Sequence, residues 1–126
     1  MLKKVYICNM AIVVYNRKKE QHEGDNVFYV GRPSILGNPY SHLPEDKCIA
    51  KFRCKTREES IEQYSHYFDI MYGSNVEFTS AVDKIYEKYK TGEDIYLGCW
   101  CHPLSCHADI IAEKLRKRLI KEKLKK

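Results

Sequence analysis

Apolar residues fall in short blocks along this chain, and their spacing changes from block to block. Val5 to Tyr15 is a nearly continuous apolar run rich in Val, Ile and Tyr, the pattern of a buried strand. Asn16 to Asn26 is polar and contains Gly24, so it reads as a turn or exposed loop. Val27-Phe28-Tyr29-Val30 is a second short strand, placed to pair with the first as a hairpin across a long connection. Gly31 to Cys48 holds Pro33, Pro39 and Pro44 with no helical period. A long loop in a compact domain is usually functional.

Helical spacing begins after this loop. Thr56-Arg57-Glu58-Glu59 is a capping box, with Thr56 as N-cap and Glu59 reaching back. Ile61, Tyr64, Phe68 and Met71 then form one apolar stripe, and Gly73-Ser74-Asn75 ends the helix. Phe78 to Lys90 predicts a second helix with Val82, Ile85, Tyr86 and Tyr89 on one face, stopped by Thr91-Gly92. Ile95 to Trp100 reads as a strand and Cys101 to Ser105 as a tight loop. A last helix begins at Cys106 or His107 and buries Ile111, Leu115, Leu119 and Leu124. This alternation describes a small α/β domain, in which ligands gather at the carboxyl ends of the strands.

The 126 residues suit one domain, spanning 1–126, and leave too little chain for two cores. No apolar run approaches the roughly 20 residues of a membrane span, and Asn9, Tyr15 and Asn16 fit a signal peptide poorly. A cytoplasmic protein is expected. The net charge of +5 is not spread evenly. From Lys114 onward eight cations face Glu122 alone, which leaves +7 there and −2 over residues 1–113. A basic nucleic-acid-binding body is therefore not indicated, whereas the basic helix over 106–126 could meet an acidic partner or present a solvated face.

Six cysteines would suit a disulfide framework, but in a reducing compartment clustered thiols are free, metal-binding or catalytic. Cys8, Cys48 and Cys54 are scattered and read as small buried hydrophobes. Cys99, Cys101 and Cys106 crowd the segment Gly98-Cys99-Trp100-Cys101-His102-Pro103-Leu104-Ser105-Cys106-His107, where a strand hands over to a helix. Helix-start amides make an anion site there, a thiol pKa tends to fall, and Trp100 offers a face for a base. Three chemistries stay open. Cys99, Cys101, Cys106 and His107 are acceptable zinc ligands, though the spacing is not that of a common structural site. A cysteine nucleophile with a histidine base is a second. A rigid thiol-lined ligand site without metal or cofactor is the favoured third.

The other chemistry-bearing segment is Gly31-Arg32-Pro33-Ser34-Ile35-Leu36-Gly37-Asn38-Pro39-Tyr40. Its prolines fix φ, and Gly31 and Gly37 permit positive φ or close backbone approach. Such a loop would present Arg32, Ser34 and Asn38 at low entropic cost, Arg32 to a phosphate or carboxylate and Asn38 to a base edge or ribose. A stiff structural turn is the alternative. Asp109 reads as a complement to the helix dipole, and His22, His42 and His66 as surface residues.

Together with the Thr56-Arg57-Glu58-Glu59 helix start, the segments Tyr29 to Tyr40 and Tyr96 to Asp109 resemble the domain-of-unknown-function family numbered 4326, found in phages and bacteria. The resemblance covers about Val27 to Leu115. It implies a fold more than an activity. The Cys-His element also resembles one in another uncharacterised α/β family, where a Cys-His-Arg motif opens the last helix; here Ala108 replaces that Arg.

The expected fold is thus a small single-domain α/β, Rossmann-like, with sheet and helices in two or three layers. The expected function is binding of a nucleotide or nucleotide-derived ligand, of a cyclic or ADP-ribose type, by a phage protein that sequesters a bacterial defence signal. Arg32, Ser34, Gly37, Asn38 and Tyr40 form one wall of the site, and Cys99, Trp100, Cys101, Cys106 and His107 the other. A hydrolase or glycosyl-transfer enzyme using the Cys-His loop is the first alternative. An adaptor that meets nucleic acid or protein through the Lys-rich helix is the second. A homo-oligomer is expected and a membrane is not.

Overall fold

The computed structural model describes residues 12–32, 34–41, 52–53, 55–100 and 106–124, with the backbone alone at 40, 41, 52 and 53. The expected strand over 5–11, the tight loop at 101–105, and Cys8, His42, Cys48, Cys54 and Cys101 lie outside the described residues.

Three strands form a parallel sheet in the order β1 (Ile12–Asn16), β5 (Ile95–Cys99), β2 (Val27–Tyr29). Ile12 pairs with Ile95 and Asn16 with Cys99 on one side of β5, and Val27 with Tyr96 and Tyr29 with Gly98 on the other. The hairpin expected between the first two strands is therefore corrected. β5 inserts between them, and its run Ile95, Leu97, Gly98, Cys99 is buried as central parallel strands are. A pair of two-residue strands, β3 (Tyr40–Ser41) and β4 (Phe52–Arg53), lies alongside the first helix.

The first and last helices begin where the sequence places their signals, and the second begins at Val76, two residues before the expected Phe78, because Asn75 caps it. Helix α1 (Arg57–Met71) starts with the Glu59 amide donating to Thr56 Oγ1 at 3.1 Å. The Glu59 carboxylate accepts from the Lys55 amide at 3.1 Å, one residue before the position a capping box uses. Helix α2 (Val76–Lys90) is capped by Asn75, whose side chain accepts from the Phe78 amide. Gly73 and Gly92 follow these helices with φ of +90° and +98°, the left-handed conformation that closes a helix end. Helix α3 (His107–Leu124) opens with Asp109 Oδ2 accepting from the Cys106 amide at 3.1 Å. Asp109 thus joins the cap directly, besides complementing the dipole.

One face of the sheet meets the helices. Ile95, Leu97 and Cys99 join Phe78, Val82, Ile85, Ile111 and Leu115 in a single core cluster. Burial of such side chains contributes roughly 1.5–3 kcal/mol each. Ion pairs reinforce the seams: Lys114 to Asp69 at 2.9 Å joins α3 to α1. Arg118 donates to Asp83 at 2.8 Å and to the Tyr72 hydroxyl at 3.0 Å, with its guanidinium 3.8 Å from the Tyr86 ring centroid. Leu124 departs from the expected buried stripe, being 80% exposed, because α3 outruns the body at its last turn.

The opposite face of the sheet is covered by the connection between β1 and β2. Side chains alternate along a strand, so Tyr96 and Gly98 face away from the helices. His22 stacks on Tyr96 with centroids 4.4 Å apart and meets Tyr15 edge-on at 4.6 Å. His22 is thus half-buried between two aromatic rings rather than a surface residue. The fold is a small α/β unit with a three-stranded parallel sheet and three helices.

Candidate site at the carboxyl edge of the sheet

The three parallel strands end at the same edge, and backbone hydrogen bonds knit those ends together. The Arg17 amide donates to Cys99 O at 2.9 Å and the Val30 amide to Gly98 O at 3.1 Å. The Asn16 side chain donates to Trp100 O at 3.2 Å while its own carbonyl oxygen accepts from the Lys18 amide at 2.8 Å. The chain therefore leaves β1, β2 and β5 in fixed directions.

Three side chains use those directions to build a shelf. Arg17, just past β1, lies with its guanidinium carbon 4.6 Å from the Tyr29 ring centroid and 5.6 Å from that of Trp100. The Trp100 indole N–H donates to the Tyr29 hydroxyl at 2.9 Å, and that hydroxyl donates in turn to Arg32 O. Trp100 is still 49% exposed, so the indole presents surface to solvent. Among the described residues no carboxylate pairs with Arg17.

Glycine makes the shelf possible. A Cβ on Gly98 would sit 3.0 Å from the Tyr15 hydroxyl and 3.1 Å from Arg17 Cγ, and one on Gly31 would lie 2.6 Å from the Tyr29 hydroxyl. Gly31 and Gly37 do not take positive φ. They serve close approach instead, Gly37 with its missing Cβ 3.0 Å from Arg32 Cα.

The Gly31 to Asn38 loop turns most of its polar groups inward. The Ser34 amide donates to Gly31 O and the Gly37 amide to Ser34 O, both at 2.9 Å, giving two consecutive turns. Arg32 Nη1 donates to Asn38 O at 2.6 Å. Asn38 is buried and its amide donates to Ser60 Oγ at 2.9 Å on α1. The Tyr64 hydroxyl donates to Leu36 O at 2.7 Å. Ser34 differs: its hydroxyl is buried with no hydrogen-bond partner among the described residues. It lines a 250 Å³ pocket with Phe28, Ile35 and Lys84.

The second expected wall is similarly wired. His107 is buried and its Nε2 lies 2.5 Å from Val30 O, which ties the start of α3 to the end of β2. That contact makes Nε2 the protonated nitrogen of a neutral ring. Burial pushes the His107 pKa from 6.5 down to about 4, against the Val30 bond, and the nearby Arg32 charge adds to the fall. Cys99 and Cys106 bring their sulfurs within 3.5 Å and are 1% and 3% exposed. Neither thiol is presented to solvent as a nucleophile. Among the described residues no three His, Cys, Asp or Glu side chains gather as a metal cluster.

The structure brings Arg32, Asn38, Trp100, Cys99, Cys106 and His107 to one region around the strand ends. Tyr40 contributes backbone to β3, its side chain lying outside the described residues, as does Cys101. Arg17 was not among the expected site residues. The signal available for it is an Arg directly after a strand that ends in Tyr15-Asn16, opposite a second strand that contains Gly98.

Both the loop from Gly31 and the end of β5 fall within the stretch that a family comparison matches. The chain belongs to the family described as Domain of unknown function (DUF4326), whose model matches residues 13–117. Comparisons with curated proteins and with solved structures find no match. In this DUF4326 chain the match takes in Arg17, the Gly31 to Asn38 loop, Trp100 and His107, and stops before the last turns of α3.

Proposed function

We propose that this protein binds a nucleotide or nucleotide-derived ligand at the carboxyl edge of its parallel sheet, in a Rossmann-like manner. The observation that carries the reading is the Arg17–Tyr29–Trp100 shelf, where one cation and two aromatic rings meet beside a half-exposed indole. A base stacks on the indole, a contact worth roughly 1–3 kcal/mol in comparable sites. Arg17 takes phosphate, a charge-assisted contact of roughly 1.5–3 kcal/mol, while Arg32 holds the neighbouring loop in shape through Asn38 O. The carboxyl edge is where ligands of open α/β sheets collect. Binding without turnover fits best, because both described thiols are buried and His107 uses Nε2 internally. Sequestration or sensing of a cyclic or ADP-ribose-type signal, including one made by a bacterial defence system against phage, is the role this predicts.

The test is incubation with a panel of cyclic dinucleotides, ADP-ribose and its cyclic forms. Free ligand is removed, the protein is heated, and the released molecule is identified by mass spectrometry while the filtrate is assayed for products. Intact ligand recovered after heating is the expected result. A new product would convert the reading to an enzyme, and an untouched panel would refute it. For a ligand so found, Arg17→Ala is expected to weaken binding more than tenfold, with Arg32→Ala at least as damaging. Trp100, the only tryptophan of the chain, reports the same event by fluorescence.

A further inference from the structure

The edge strand β2, the Gly31 to Asn38 loop and α2 line a pocket of about 250 Å³. Phe28 and Ile85 form its apolar side and also pack with the core cluster, so that wall is fixed by the fold. Ile35 lines the pocket from the loop while 39% exposed. Two polar groups stand among these side chains. Ser34 Oγ is buried with no hydrogen-bond partner among the described residues. The Ser34 amide and carbonyl are both taken by the turns with Gly31 and Gly37, and the hydroxyl is left over. A buried hydroxyl without a partner is rare in a folded protein and costly to keep. Lys84 reaches the same pocket from α2. The other two lysines of that helix are engaged, Lys88 with Asp25 at 2.7 Å and Lys90 with Glu87 at 3.2 Å. Glu87, one turn from Lys84, is thereby held by Lys90, and no ion pair joins Lys84 to a carboxylate among the described residues.

We propose that this pocket binds a small monocarboxylate with a short apolar body. The Lys84 ammonium and the Ser34 hydroxyl donate to its carboxylate oxygens, and the hydrocarbon lies on Phe28, Ile35 and Ile85. The lining groups themselves argue for that chemistry. One cation and one hydroxyl match a single negative charge, whereas a phosphate monoester or a sugar would leave most of its oxygens against apolar walls without partners. The volume falls below the roughly 300–1,000 Å³ of pockets for drug-sized molecules, so the ligand is the size of a short fatty acid or an arylacetic acid. Its carboxylate also supplies the partner that the Ser34 hydroxyl lacks. The site goes beyond the nucleotide reading. Arg17 and Trp100 do not line it, and of the shelf residues only Tyr29 borders both.

The experiment titrates the full chain with phenylacetate and hexanoate, and with phenylacetamide and hexanamide as their uncharged counterparts, followed by amide and methyl NMR shifts. Saturable shifts centred on Phe28, Ile35 and Ile85 are expected from the acids, with the amides binding about tenfold weaker or more. Lys84→Gln, at an exposed position, is expected to cost about tenfold in affinity for the acids and to leave the melting temperature unchanged. Ser34→Ala should weaken acid binding about threefold or more. It should not lower the melting temperature of the unliganded protein, since that hydroxyl makes no bond there among the described residues. Acids and amides that bind alike, shifts centred on the Trp100 indole in place of the pocket, or no saturable shift from either acid would overturn the proposal. So would a Ser34→Ala variant that melts earlier yet binds the acids as wild type does.

Discussion

His107 offers the sharpest check on the internal wiring. Its ring is buried, with Nε2 2.5 Å from Val30 O and a pKa held down to about 4 against an ordinary 6.5. The cause is burial first, with the Arg32 charge adding to it. Above pH 6.5 the residue is neutral in both folded and unfolded chains, and its contribution is fully present. Between pH 6.5 and about 4 the unfolded chain takes up a proton that the folded chain refuses, so stability falls as pH drops and levels below 4. A difference of about 2.5 units at 1.36 kcal/mol each amounts to about 3 kcal/mol. That is a large share of the roughly 5–15 kcal/mol that holds a domain folded.

The perturbation is His107→Gln, which keeps an N–H for Val30 and removes the titration. Urea unfolding of both proteins from pH 7.5 to 4.5 separates this residue from every other group, because all the others are common to the pair. At pH 4.5 wild type is expected to have lost about 2–3 kcal/mol more than the variant since pH 7.5. Parallel stability curves would refute the reasoning. So would an NMR titration that places the His107 ring near its ordinary pKa.

Two further substitutions probe the loop and the shelf. Tyr64→Phe removes the hydroxyl that donates to Leu36 O at 2.7 Å, and should lower stability by about 1 kcal/mol; an unchanged thermal midpoint would contradict that role. Gly31→Ala places a Cβ 2.6 Å from the Tyr29 hydroxyl. It should cost about 1–3 kcal/mol and shift Trp100 emission by breaking the indole bond to Tyr29, whereas an unaltered spectrum would mean that the shelf does not depend on Gly31.

Much of the fold is written locally in the chain. Thr56 and Asn75 cap their helices through side chains that the sequence places there, and Gly73 and Gly92 close them at positive φ. Tyr64, Phe68, Val82, Ile85, Ile111 and Leu115 are buried as their spacing requires. Strand pairing was not local. A loop of ten residues can return either antiparallel or past a third strand, and here β5 takes the central place, its run Ile95, Leu97, Gly98 and Cys99 buried as in central parallel strands. The polar character of residues 17–26 also hid their packing. His22 and Arg17 are amphipathic enough to lie on aromatic rings while keeping polar ends wet, and no pattern of hydrophobic and polar letters distinguishes that from a solvated loop.

The division of labour among the motif residues follows from the same geometry. Asn38 spends its amide on Ser60, Arg32 gives Nη1 to Asn38 O, and His107 gives Nε2 to Val30 O. These residue types suit ligand contacts, yet the Asn38 and His107 bonds join separate elements and the Arg32 bond closes the loop on itself. A buried polar group left unpaired costs about 1–3 kcal/mol, so a loop this rich in polar groups holds its shape only if most are satisfied within it. Their inward bonds fix the Gly31 to Asn38 loop on α1 and the start of α3 on the end of β2. Against that frame the outward-facing groups are Trp100 from the end of β5 and Arg17 from the end of β1. Recognition on this reading belongs to the residues the frame exposes, and the motif residues act by holding Trp100 and Arg17 at a fixed separation. Arg17→Ala should therefore weaken ligand binding while leaving the unfolding free energy within about 0.5 kcal/mol of wild type, as surface substitutions do. Asn38→Ala should lower stability and affinity together. If Arg17→Ala instead unfolded the protein, or Asn38→Ala reduced affinity with stability intact, the roles assigned to frame and face would be reversed.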